Sequence, residues 1–169
     1  MQKKIKSKKS QAWGIDLTIG FTIFFAGVVL LYLYSVNSSS ETEATEQLNY
    51  DGNIIAESLL SAGSPDDWNS GNVNKIGIAY ANIINETKLE RFYSLANSDY
   101  QKTKELFNTR YDYLFSLSVN MTINSQVTEQ IGKPGASPEN INTKNLVKIT
   151  RFVFYKNKPS TMYLYVWET

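Results

Sequence analysis

The sequence predicts an α+β protein: a long N-terminal helix, membrane-spanning in its first half, packed on a small antiparallel sheet with short helices. Three observations predict it. Leu17 to Tyr34 is an uncharged run whose only strongly polar members are Thr18 and Thr22. From Ala44 to Ala62 apolar residues recur at helical spacing. From Tyr111 the apolar period changes to two.

The run from Leu17 to Tyr34 is long enough to matter. At 1.5 Å of rise per residue it covers about 27 Å, close to the hydrocarbon thickness of a bilayer. A single segment satisfies all its backbone groups in lipid only as a helix. Gly20 and Gly27 are of a kind tolerated in membrane helices. Spaced seven apart, they either share a face for close helix approach or are merely tolerated. Residues 15–36 are the expected span.

Charge orients the segment. Lys3, Lys4, Lys6, Lys8 and Lys9 precede it with no acid among them. Glu41, Glu43 and Glu46 follow it, and the next basic residue is Lys75. The positive-inside rule puts the N-terminus in the cytoplasm and the C-terminal mass outside the cell. Without residues 1–10 the chain holds 12 basic against 16 acidic residues. That mildly acidic balance gives no reason to expect a nucleic-acid partner.

An ordinary secretory signal would end in a small-residue cleavage site after its core. Here the core ends in Leu31-Tyr32-Leu33-Tyr34. The small residue instead stands before the core, in Lys8-Lys9-Ser10-Gln11-Ala12. That layout resembles the class III signal peptide of archaeal type IV pilin-like proteins. The resemblance implies a basic leader, residues 1–10, cut by a prepilin peptidase between Ser10 and Gln11. It also implies that the helix stays on the mature chain and bundles with its like in a surface filament. Many pilins carry an acid at mature position five; cleavage before Gln11 puts Asp16 at position six. Asp16 is the candidate assembly residue, and homo- or hetero-oligomerisation through the helix is the implied partnership. The runner-up is an uncleaved single-pass membrane protein whose external domain binds a ligand or partner.

Beyond the span, Asn37-Ser38-Ser39-Ser40 is a poor helix former and reads as a kink or short break. Helical signal resumes with Ala44, Leu48, Ile55, Leu59 and Ala62 on one stripe. Gly52 inside the stripe weakens that signal. Gly63 and Ser64-Pro65 stop the helix, which is expected over 11–62. Residues 63–169 are then an extracellular head. Its Pro65–Asn72 stretch is a loop, with Trp68 folding back to pack. Lys75–Ala79 reads as a short strand. Asn85 caps a helix to about Ala96 that presents Leu89, Phe92 and Ala96. Asn97-Ser98 caps a second short helix, Tyr100 to about Phe107.

Strands are expected over 111–121, 146–155 and 161–168, the last two joined by a five-residue turn at 156–160. The polar stretch 126–144 reads as a loop. On the last strand Tyr163, Tyr165 and Trp167 share one face, and Met162, Leu164 and Val166 the other. Both faces are therefore expected to meet protein, the long helix on one side and the short helices on the other.

Catalytic chemistry has little to work with. The chain has no His and no Cys. That removes imidazole bases, thiolate metal sites and the usual nucleophile–base pairs. No glycine-rich phosphate loop occurs. Asp66-Asp67 reads as a solvated turn, since two carboxylates leave most of a calcium shell unfilled. Asp99 and Asp112 read as caps or strand-surface charges. The chain is expected to be neither an enzyme nor a cofactor binder. Three sequons, at Asn37, Asn85 and Asn120, are candidate glycosylation acceptors in an external domain.

Overall fold

The computed structural model describes the backbone of residues 9–168 and the side chains of 14–36 and 44–168. The leader residues Met1 to Lys8, the side chains of Ser10 and Gln11, and that of Asn37 lie outside the described residues. Two compact units divide the chain, Met1–Glu43 and Ala44–Thr169.

One helix, α1 (Lys9–Leu59), runs from the first unit into the second. It is unbroken through Asn37–Ser40, where composition suggested a break. Helix propensities differ by only tenths of a kcal/mol per residue for Asn and Ser, so extending an existing helix outweighs them.

In the second unit Leu48, Ile55 and Leu59 of α1 are fully buried, as the stripe predicts, and Ala56 is buried beside them. Gly52 sits on the same side, with Ile149 and Val166 against it. The glycine that weakened the sequence signal is a position where sheet side chains leave no room for a Cβ. α1 ends at Leu59, before the Ala62 that the stripe suggested. A strand-like segment supplies the reason. The Ile78 N–H donates to the Leu59 carbonyl (2.8 Å) and the Ala79 N–H to that of Ser61 (3.1 Å). These bonds satisfy carbonyls that a helix end leaves without partners. Gly77 makes the approach feasible: a Cβ there would collide with the Gly63 amide and the Ser61 carbonyl. Trp68 folds back as expected, fully buried, its indole donating to the Gly77 carbonyl (2.9 Å).

The remaining elements are β1 (Ala79–Tyr80), β2 (Ile83–Ile84), α2 (Glu86–Ser98), α3 (Tyr100–Leu106), β3 (Asp112–Ile123), β4 (Gln126–Gly132), β5 (Leu146–Tyr155) and β6 (Lys158–Trp167). They form one six-stranded sheet in the order β1-β2-β5-β6-β3-β4. It is antiparallel except where β2 runs parallel to β5. The two short helices stand where expected. Asn85 caps α2 through the Lys88 amide (3.0 Å). The second cap is Asp99, one residue beyond the expected pair, bonded to the Lys102 amide (2.9 Å).

Two strand expectations are corrected. The stretch 126–144 is not all loop: its first part is β4. Only Ile131 of β4 is buried, so no apolar alternation marks it. The β5–β6 connection is a two-residue turn, Lys156-Asn157, not a five-residue one. Both residues have positive φ, 52° and 59°. Such a left-handed pair matches the twist of a two-residue hairpin, and Asn tolerates it well. Pro159 then lies inside β6 but outside the β3 ladder, which begins at Met162, so its missing N–H breaks no bond to β3.

The expectation that both faces of the sheet meet protein is corrected in part: on the second face Leu114 and Trp167 are buried, but Tyr163 and Tyr165 are not fully covered. Met162, Leu164, Val166, Tyr113 and Phe115 are buried on one face. Both α1 and α2 pack there, Gly52 against Val166 and Phe92 against Tyr113 and Phe115. On the other face Tyr163 and Tyr165 are half-buried, and the Lys148 ammonium lies over both rings, 4.2 and 5.1 Å from their centroids. An aromatic ring with a polar tip and a cation on its face needs no covering layer.

Candidate functional site: the apolar segment

Residues Gly14–Val36 of α1 form a 23-residue apolar segment, about 35 Å long at helical rise. All of its side chains are exposed. Leu17, Phe24, Leu30, Leu31 and Tyr34 are each at least two-thirds uncovered. A continuous apolar helix of this length suggests association with a membrane.

The segment is built for an apolar surrounding. The Thr18 hydroxyl donates to the Gly14 carbonyl (2.7 Å) and that of Thr22 to the Thr18 carbonyl (2.8 Å). Neither threonine therefore takes an unsatisfied donor into hydrocarbon. Phe21 and Phe25 stack along one side, 6.1 Å between ring centroids. Nothing lies within 4 Å of where a Cβ would stand at Gly20 or Gly27, so both present bare backbone to the surroundings. Asp16 stands near the start of the segment, exposed. Among the described residues it has no hydrogen-bond or ion-pair partner.

The second unit holds a polar centre that sequence reasoning missed. Asp112 is buried rather than on the strand surface. Its Oδ1 accepts from Lys104 Nζ and from the Tyr100 hydroxyl, both at 3.1 Å, and its Oδ2 from Lys133 Nζ at 2.5 Å. The Tyr100 hydroxyl also accepts from the Tyr113 N–H (3.0 Å), and the Tyr113 hydroxyl bonds the Thr103 hydroxyl (2.6 Å). Burial pushes both phenols well above the ordinary tyrosine range, and the Thr103 bond opposes this at Tyr113. Both therefore stay protonated, and the Tyr100 hydroxyl donates to Asp112. The centre ties α3 and the start of the 133–145 connection to β3. An aspartate one position off an alternating apolar strand gives no hint of this, because its partners sit on a preceding helix and on the loop after β4.

Asp66 is likewise less solitary than its turn suggested. Lys88 Nζ reaches its Oδ1 at 2.6 Å and the Ala62 carbonyl at 2.9 Å, linking the loop after α1 to α2.

The sequons differ in setting. Asn85 is occupied as the α2 cap, and Asn120 is exposed on an irregular part of β3. Asn37 lies in α1, one residue past the apolar segment.

A single N-terminal apolar helix of this length fits a membrane-anchored protein. Comparison with protein-family models, with curated proteins and with solved structures finds no match to this chain.

Proposed function

We propose that this chain is a pilin-like subunit of a type IV-pilus-like surface filament. Before assembly it is a single-pass membrane protein, N-terminus in the cytoplasm and head outside. A prepilin peptidase removes residues 1–10, and the apolar helices then bundle in the filament core while the heads face outward. The role is structural, in surface contact or adhesion, without cofactor or catalysis.

The observation that carries this reading is the double use of α1. Its Gly14–Val36 portion is wholly exposed and apolar, while its 48–59 portion is the central buried stripe of the head. A tail that merely anchors needs no such continuation into the folded core. Lys8-Lys9-Ser10-Gln11 adds the cleavage layout.

Cleavage has a physical consequence in this reading. An unpaired carboxylate taken into a helix bundle costs several kcal/mol or takes up a proton. Cutting after Ser10 removes five lysines and creates an α-amine on Gln11. That amine, from the same or a neighbouring subunit, is the candidate partner for Asp16. The leader is thus a lock: the uncut chain stays a membrane monomer and the cut chain assembles.

Two variants test the proposal. Replacing Ser10 and Gln11 so that the leader is not cut should abolish surface filaments while the protein stays in the membrane. Filaments built from uncut chains would refute the lock. Asp16→Asn should also impair assembly; normal assembly of that variant removes Asp16 from the mechanism. An uncut chain found in the membrane of wild-type cells would favour the single-pass binding protein instead.

A further inference from the structure

We infer that Asn120 is an N-glycosylation site, and that it is modified in preference to Asn37 and Asn85. This rests on the reading above that residues 44–169 lie outside the cell.

The β3–β4 ladder pairs Ser116 with Gln130 and next Met121 with Thr128, and β3 leaves β6 after Leu117. Ser118, Val119 and Asn120 therefore belong to no backbone ladder, and all three are exposed. A bulge of this kind pushes residues out of a sheet and re-aims their side chains. Thr122, the hydroxyl residue of the sequon, is exposed too, while Met121 between them is fully buried. Alternation along the strand puts Asn120 and Thr122 on the same side, away from the core. Among the described residues the Asn120 side chain makes no hydrogen bond. The bulge is held from beneath: the Ser118 hydroxyl bonds that of Ser160 (3.1 Å) and accepts from the Thr161 N–H (3.0 Å), and the Thr122 N–H donates to the Tyr155 hydroxyl (3.1 Å). The acceptor is thus presented on a fixed base.

The other two sequons are placed worse. The Asn85 side chain accepts from the Lys88 amide and its own N–H donates to the Ile78 carbonyl (2.8 Å). Glu86 and Thr87 are already in the first turn of α2. Asn37-Ser38-Ser39 is helical and begins directly where the apolar segment ends. A transferase would have to unwind a helix at the bilayer surface to reach it.

The donor is a sugar on a polyprenyl phosphate or diphosphate. Nδ2 of Asn120 attacks the anomeric carbon, and the bond from that carbon to the phosphate oxygen breaks. The phosphate leaves with the electron pair, and the amide proton passes to a base of the transferase. No oxidant or reductant is needed.

The test is mass spectrometry of the full chain isolated from the membranes of the cells that make it, with peptide mapping. The tryptic peptide that begins at Tyr111 should carry a mass increment of one or more sugar residues. The increment should vanish in Asn120→Gln and in Thr122→Ala and persist in Thr122→Ser and Asn85→Gln. A bare Asn120 peptide, or an increment on Asn85 or Asn37 alone, overturns the inference. Protease treatment of intact cells separates the two levels. A head that is cleaved while Asn120 is bare defeats only the glycosylation. A head that is protected defeats the external topology and the glycosylation with it.

Discussion

Gly52 of α1 and Ile149 of β5 are packed directly against each other: a Cβ at Gly52 would lie 2.6 Å from Ile149 Cδ1. The obstructing atom is the far end of a flexible side chain. Gly52→Ala therefore forces a rotamer change but gains up to about 1 kcal/mol of helix propensity. The two effects should nearly cancel. Gly52→Leu has no such escape and should cost roughly 1–3 kcal/mol as an overpacked core. Gly77→Ala meets backbone, the Gly63 amide and the Ser61 carbonyl, which no rotamer relieves. Thermal melting of the full chain in detergent should rank Gly52→Ala near the parent and the other two well below. Equal melting of all three would refute the close approach.

The buried stripe gives a second expectation. Ile55 and Leu59 are both fully buried. Truncating either to Ala should cost roughly 2–5 kcal/mol, the lost burial plus the cavity left behind. Ile54→Ala, on the exposed side of the same turn, should cost much less. Parent-like melting of both core variants would mean that the stripe is not what the head folds on.

Asp112 should be the most sensitive acid in the head. Replacing it with Ala leaves two lysine ammonium groups, of which Lys104 is mostly buried, without their carboxylate. Breaking such a pair costs about 3 kcal/mol. Lys133 is more open, so Lys133→Ala should cost less than Lys104→Ala. The reverse order of the two lysine variants in a denaturation series would contradict the geometry.

The buried phenols set an alkaline limit. In the unfolded chain Tyr100 and Tyr113 ionise near pH 10, the ordinary tyrosine value. In the folded head both values are raised, so the unfolded state gives up its protons first. Their contribution to stability is full below about pH 10 and is lost as pH rises through the folded values. Stability of the head should fall steeply above about pH 10. Phenylalanine at both positions should flatten that fall, even if it lowers stability at neutral pH through lost hydrogen bonds. An unchanged alkaline slope in the double variant would assign the limit to other groups.

Legibility in the sequence followed the strength of local signals. The Leu48–Ile55–Leu59 stripe and the alternation in β3 and β6 are long and periodic, so their elements stand where the pattern puts them. β4 carries one buried residue, and its turn is Asn124-Ser125, both at positive φ, without the glycine that flags a hairpin. β1 and β2 are two residues each, too short for any period, and Phe154 donating to the Asn82 carbonyl (2.8 Å) joins them to β5 only in three dimensions. The half-open part of the sheet was misread because tyrosine counts as apolar in a pattern, while in the fold the Lys148 ammonium lies over the Tyr163 and Tyr165 rings. In the apolar segment length and composition were enough. Asp112 was not legible, since its meaning comes from Lys104, Lys133 and Tyr100 converging on it.

The central claim is that the apolar helix is released for assembly by cutting the basic leader. The mass of the mature N-terminal peptide, taken from the chain in its own membrane, tests this most directly. The expected chain begins at Gln11, with the α-amine either free or lost to cyclisation of the glutamine. A chain that still carries Lys3 to Lys9, or one cut beyond Tyr34 so that the apolar segment is gone, would contradict it.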